Sequence, residues 1–258
     1  PDDINKTITD FAIALKNAKI KKAPAIPTLP KFFTVDKLIN TNYTLDKVPV
    51  GISKTKLTTE TYNFNENYSP VITNNLSDNI HFIYGLIELL KQIPNTKVRV
   101  IDVLDLYKNS QGVNIFNKDF ETIIKQIRLE TLDDDNLDHT NIFIIIGLGA
   151  FKNNVPEKTQ KTFKYVFSKI REYKRNKFII YDDYNSYKSL EVEEWFKNID
   201  KSTGIWLGEN AANQLSIKMP NLTLEERKLL FNQIGYIVKN SSHTIIRYIV
   251  DKEFDNEK

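Results

Sequence analysis

Residues Thr73 to Ile80 stand where a phosphate-binding loop would be and lack the side chains that bind phosphate. Val71-Ile72-Thr73 reads as the end of a buried strand, and His81–Ile93 reads as a helix. At such a junction a phosphate loop has the form GxxxxGK followed by Ser or Thr. Laid over Thr73, Asn74, Asn75, Leu76, Ser77, Asp78, Asn79 and Ile80, the first Gly becomes Thr73 and the second Asp78. The Lys becomes Asn79, and the Ser or Thr becomes Ile80. Each loss removes a separate piece of chemistry. The glycines let backbone N–H groups close around phosphates, and β-branched Thr73 resists that backbone. Asn79 is neutral where a cation meets the β/γ-phosphates, and Ile80 has no oxygen for Mg²⁺. Asp78 would set a carboxylate against the polyphosphate. Its expected role is instead to cap the helix that follows.

A second diagnostic position fails as well. A P-loop ATPase carries an apolar strand ending in acidic residues that hold Mg²⁺ and polarise water. The third strand here runs Asn141–Ile146 and continues into Gly147-Leu148-Gly149-Ala150, without acids. The next strand ends Tyr181-Asp182-Asp183 and matches that acidic pattern, one strand late. Two Asp residues at a strand end also cap turns. Asp182 and Asp183 therefore carry the alternative reading, a divergent NTPase with an atypical phosphate grip. The leading expectation is a domain with no catalytic residues and no ATP or Mg²⁺ bound.

Other constellations point to structure rather than chemistry. His81, His139 and His243 are far apart and share no metal-ligand spacing. Asp133-Asp134-Asp135 lacks the Gly and the bidentate Glu of a calcium loop and is expected to be solvated. No nucleophile-elbow pattern occurs. Trp195 and Trp206 lie in apolar patterns suited to a core.

The elements that must position these residues follow from periodicity. Buried strands are expected at Pro70–Thr73, Val98–Val103, Ile142–Ile146, Lys177–Tyr181 and Gly204–Leu207. Helical patterns lie between them at His81–Ile93, Lys118–Thr131, Glu157–Lys174 and Glu191–Asn198. Alternation of this kind implies a parallel sheet with right-handed crossovers. The expected fold class is α/β, a RecA-like parallel sheet with helices on both faces, in the order 5-1-4-3-2 that is usual for that fold. Two short strands, Val48–Ile52 and Lys56–Phe64, precede it. Thr223 and Glu226 have capping-box spacing and open a helix that Gly235 ends, followed by a C-terminal β-hairpin. The last eight residues are expected to fray.

At the other end, Ile4, Ile8, Phe11, Leu15 and Ala18 recur at helical spacing. Pro24, Pro27 and Pro30 then impose an extended connector. Residues 1–40 read as a helix and proline-rich connector that packs on the domain, and residues 41–258 as the domain itself.

Composition bounds the partners. The chain has 258 residues, no Cys, and 36 basic against 33 acidic side chains, for a net charge of +3. Without Cys there is no disulfide framework, which fits a reducing compartment. The charges alternate rather than forming a basic block, which disfavours nucleic acid. No apolar run approaches the ~18 residues of a membrane span, so no direct membrane contact is expected. A first residue of Pro1 suggests a piece of a longer chain.

Several segments carry a family resemblance. They are LP-x-F-x-x-V-D before the sheet, the strand, loop and helix at Val71–Ile93, FIIYDDYNSY, EEWFKN, and GIWLGENAANQLSI. Together they resemble the last ATPase-like domain of the EssC family, the FtsK/SpoIIIE-type motors of type VIIb secretion. The Gly204–Gly208 strand with Gln214 resembles the GxWxG…Q pattern of FtsK-type domains. The resemblance implies a motor anchored at the cytoplasmic side of a membrane. It also implies partners: preceding ATPase domains of the same chain, and secreted WXG100-type or effector proteins. Because Thr73, Asp78, Asn79, Ile80 and Gly147 depart from the motifs, the expected role is a pseudo-ATPase in substrate recognition or regulation.

Overall fold

The computed structural model describes residues 2–17, 28–38, 41–108, 113–197, 199–231 and 233–252. In chain order the elements are α1 (Asp2–Asn17), β1 (Val48–Ser53), β2 (Thr59–Tyr62), β3 (Tyr68–Thr73), α2 (Leu76–Leu90), β4 (Thr96–Asp102) and β5 (Asn114–Phe116). There follow α3 (Phe120–Leu132), β6 (Thr140–Ile146), α4 (Phe151–Asn154), α5 (Glu157–Ser168), β7 (Asn176–Asp183) and α6 (Tyr184–Leu190). The chain closes with β8 (Thr203–Leu207), α7 (Leu224–Arg227), β9 (Ile234–Lys239) and β10 (Ser242–Tyr248). Pro24, Pro27, Asn198 and residues 253–258 lie outside the described residues.

The strands form one ten-stranded sheet in the order β2-β1-β10-β9-β8-β3-β7-β6-β4-β5. Its parallel part is β8-β3-β7-β6-β4-β5, in which β8-β3-β7-β6-β4 is the expected 5-1-4-3-2 arrangement and the short β5 adds an edge strand. Runs such as Ile142–Ile146 and Phe178–Tyr181 are fully buried because helices cover both faces. On one face α2 presents Phe82, Ile83, Leu86 and Ile87 to Val71, Ile144, Ile179 and Ile205. On the other, α3 and α5 bring Ile123, Ile127, Phe163 and Phe167 against Ile101, Phe143 and Phe178.

The sheet extends further than the sequence pattern indicates. β9 pairs antiparallel with β8, and β10 then carries the early strands β1 and β2 onto the same sheet. Phe32, Phe33, Val35 and Leu38 are buried, and Val35 N–H donates to Val250 O at 3.0 Å. The helix α1 forms as its spacing predicts, with Ile4, Ile8 and Phe11 all exposed.

Several helix boundaries differ from the expected ones. α2 starts five residues earlier than His81, because Asn75 supplies a cap. Of the expected helix Glu191–Asn198, the described residues 191–197 are not helical: the helix is Tyr184–Leu190, started by Asp183, whose carboxylate accepts from the N–H groups of Asn185 and Ser186. The segment after it is a series of turns that drives Phe196 into the core. The Thr223–Glu226 capping box is present, yet its helix lasts one turn. Gly235 does not end it. Gly235 belongs to β9, where ladders to β8 and β10 claim the backbone. Asp134 is not solvated either: it is buried and accepts from the N–H groups of Lys174 and Arg175 and from Asn176 Nδ2.

Candidate functional site

The Thr73–Ile80 segment, Gly147-Leu148 and the Asp182–Asp183 pair lie at the carboxyl end of the parallel strands. This is the end of an open α/β sheet where ligands bind in related architectures. The geometry there differs from a phosphate loop in length as well as in composition. Only Asn74 and Asn75 separate β3 from α2. Asn75 Oδ1 accepts from the N–H groups of Ser77 at 3.0 Å and Asp78 at 3.3 Å. Asn75 is therefore the N-cap, in place of Asp78. Asp78 lies one turn in and accepts from Asn75 Nδ2 at 2.8 Å. Two of the helix-start donors that an anion would use are thus taken by the chain itself.

Asn79, at the position of the phosphate-binding Lys, points into the protein and is buried. Its Nδ2 donates to Thr73 Oγ1 at 2.8 Å and to Asn75 O at 2.9 Å. Its Oδ1 accepts from the Tyr248 hydroxyl at 2.8 Å. Thr73 Oγ1 also accepts from Asn75 N–H at 3.1 Å. Leu76 and Ile80 are buried in the α2 core, while Asn74, Ser77 and Asp78 are exposed. Tyr181 donates its hydroxyl to Leu76 O at 2.7 Å, and burial holds its phenol well above the ordinary range.

The loop after β8 closes over this junction. Gly208 has φ +92°, and a Cβ there would lie 2.5 Å from Asn74 Oδ1. Trp206 is buried and donates Nε1–H to Gly208 O and Glu209 O, both at 3.1 Å. Gln214 is buried and grips the Ile217 backbone from both sides: Oε1 accepts from its N–H at 2.9 Å, and Nε2 donates to its carbonyl at 3.0 Å. In this chain the Gly-Trp-Gly…Gln pattern holds a loop in shape.

The third-strand terminus and the acidic pair meet at the next position along the sheet. Gly147 turns the chain with φ +75°, and Leu148 is buried in the core. β7 lies directly beside β3, so Asp182 registers with Ile72 and Asp183 with Thr73. Fourth in sequence, this strand is adjacent to the phosphate-loop strand in space. Asp182 Oδ2 accepts from Gly149 N–H at 2.6 Å, and Oδ1 from Asp183 N–H at 2.9 Å. Burial raises the Asp182 carboxyl to about 7, against those two stabilising hydrogen bonds. Asp183 is occupied as the N-cap of α6. Among the described residues no three His, Asp or Glu side chains form a metal-sized cluster.

Sequence reasoning missed Tyr248, Tyr181 and the capping role of Asn75. The last had a local signal, since Asn-x-x-Asp is capping-box spacing. The two tyrosines had none, because their partners lie more than a hundred residues away.

No protein-family model matches the sequence, and no curated protein matches it. Solved structures do. The cytoplasmic domain of EssC superposes with a TM-score of 0.64 at 13% identity, over 92% of this chain and 50% of that one. ATPases 2 and 3 of EssC from Geobacillus thermodenitrificans give 0.68 at 13% identity, over 92% and 48%. ATPases 2 and 3 of Thermomonospora curvata EccC, in complex with a signal sequence peptide, give 0.63 at 14% identity, over 90% and 45%. The chain spans about half the length of each of these solved chains. At these identities the likeness is one of fold, and the chain has the fold of the ATPase domains of EssC and EccC.

Proposed function

We propose that this chain serves a type VII protein-secretion motor as a pseudo-ATPase domain. It recognises secretion substrates or regulates the ATPase domains beside it, and it neither binds nor hydrolyses ATP. The observation that carries this reading is the self-occupied phosphate position. Asn75 takes the helix-start donors, and Asn79 is tied to Thr73, Asn75 and Tyr248. The sheet and both helical layers around that position are complete. A shape kept without its phosphate grip still offers surfaces to a substrate or a neighbouring domain.

The partners under this reading are preceding ATPase domains of the same polypeptide and secreted WXG100-type or effector proteins. The signal sequence peptide bound to the similar EccC structure supports that partner class. The place of action is the cytoplasmic side of the membrane, within a membrane-anchored parent. No described helix of this chain is long and apolar enough to cross a membrane. Under this reading the Asp182–Asp183 pair serves the backbone, Asp182 through both oxygens and Asp183 through Oδ1.

The test removes the domain from the full motor and measures secretion and ATP turnover separately. Failed export of at least one substrate with turnover intact is the expected result. Normal export of every substrate with unchanged turnover refutes the reading. Loss of turnover alone assigns the domain to regulation. Replacing Asp182 and Asp183 by Ala tests the divergent-NTPase alternative, which requires turnover to collapse at an unchanged melting temperature.

A further inference from the structure

A wide concave surface lies at the other end of the parallel strands. It is a groove of about 1250 Å³ along the first residues of β3, β7 and β8, marked by Tyr68, Lys177 and Thr203. Tyr62, Asn63, Asn65, Glu66 and Asn67 form one wall, and the turn at Lys239-Asn240 forms another. Five residue steps of β3 separate it from the Asn74–Asn75 junction, roughly 17 Å at strand rise. It shares no lining residue with that junction.

The groove carries an excess of positive charge. Seven Lys or Arg side chains line it against three carboxylates, Asp46, Glu66 and Asp200. Lys197 and Lys201 are paired with Glu194 and Glu191. Lys47, Lys177, Lys218 and Lys239 have no ion-pair partner among the described residues. Lys177 is the informative one. It is only 5% exposed, and its Nζ donates to the neutral Asn67 Oδ1 at 2.9 Å. Burial lowers its ammonium below the ordinary lysine value, against the opposing pull of Asp134, Glu66 and Asp46. No carboxylate among the described residues is in ion-pair contact with Lys177, and an anion seated on it in the groove would offset the cost of its burial.

We propose that this groove binds an extended peptide segment bearing acidic side chains, with a carboxylate seated on Lys177. The proposal stands on the groove alone and holds whether or not the domain serves a secretion motor. The lining favours a peptide over a nucleic acid strand. Nucleic acid needs open aromatic faces for stacking and an unbroken cationic track. The Tyr62 ring is buried against Phe64, and the Tyr68 ring packs edge-on to Phe167 and Phe196 with its hydroxyl bonded to Tyr187. Asp46, Glu66 and Asp200 would repel a continuous phosphate backbone. They suit a peptide of mixed charge, for which Ile170, Ile199 and Ile237 supply apolar contacts.

The experiment is fluorescence anisotropy with the full chain and a labelled peptide of alternating Glu and Leu, about ten residues long to span the groove. Saturable binding that weakens with added salt is expected. A Gln-for-Glu version of the peptide should bind at least about tenfold more weakly. Lys177→Met, which keeps the apolar stem, should weaken binding to a similar degree. Lys218→Glu with Lys239→Glu changes two exposed side chains, cannot unfold the core, and should also weaken it. Absence of saturable binding overturns the proposal. So does equal binding of the Gln peptide, indifference to the surface charge reversals, or tighter binding of oligothymidylate than of the acidic peptide.

Discussion

Tyr248 donates its hydroxyl to Asn79 Oδ1 at 2.8 Å, joining the last strand to the first turn of α2 across 169 residues. The Tyr248 ring is buried and meets Phe82 edge-on at 5.7 Å. Together with the two bonds from Nδ2, this gives every donor and the acceptor of Asn79 a partner inside the protein.

Restoring the missing cation should therefore harm rather than repair. Asn79→Lys places an ammonium in a buried site that has no carboxylate bonded to it and removes the acceptor of the Tyr248 hydroxyl. Urea unfolding should show a loss of about 1–3 kcal/mol. Calorimetry with Mg-ATP should give no saturable heat for either protein. A nucleotide-binding, undestabilised variant would contradict both expectations.

Tyr248→Phe isolates the single bond. The ring stays, and Asn79 Oδ1 loses its partner. The expected cost is about 1–3 kcal/mol, the penalty of a buried unsatisfied polar group. An unchanged urea midpoint would mean that water replaces the hydroxyl.

Asp182 gives the domain a pH dependence of definite sign. Its folded carboxyl is raised by burial from 3.8 to about 7. Between those values the folded state holds a proton that the unfolded state has lost, so stability falls as pH rises through that window. Below it the contribution is fully present, and above it the loss is complete, on the order of a few kcal/mol. Asp182→Asn cannot titrate. The stability difference between variant and wild type should shift in favour of the variant from acid to neutral pH, as read by melting temperature. Parallel curves would exclude this role.

Arg99 is 1% exposed on β4 and forms a two-pronged pair with Glu130 of α3, at 2.5 and 2.6 Å. Its guanidinium also lies over the Phe143 ring at 5.3 Å. Glu130→Ala strands that buried charge, and unfolding should show a loss of about 3–5 kcal/mol. Arg99→Met with Glu130→Leu should recover most of it, because an apolar pair of similar volume carries no desolvation cost. A double variant as unstable as Glu130→Ala would locate the loss in packing instead.

The sequence by itself determined what depends on neighbours along the chain. Strands such as Ile142–Ile146 announce burial on both faces, and their alternation with helical patterns implies a parallel sheet. The departures at Thr73, Asp78, Asn79 and Ile80 are equally legible, because a phosphate loop is a local motif. Tertiary structure decided the rest. Helix limits moved where a side-chain cap or a β-ladder competed with periodicity, as at Asn75 and Gly235. The antiparallel strands joined the sheet because β10 offered an edge to β1, a pairing across nearly two hundred residues. Asp182 and Asp183 come late in sequence yet lie beside Ile72 and Thr73, since strand order in space is not order in the chain. The same reason hides the Tyr248–Asn79 bond and the burial of Lys177: both depend on partners that only folding brings within reach.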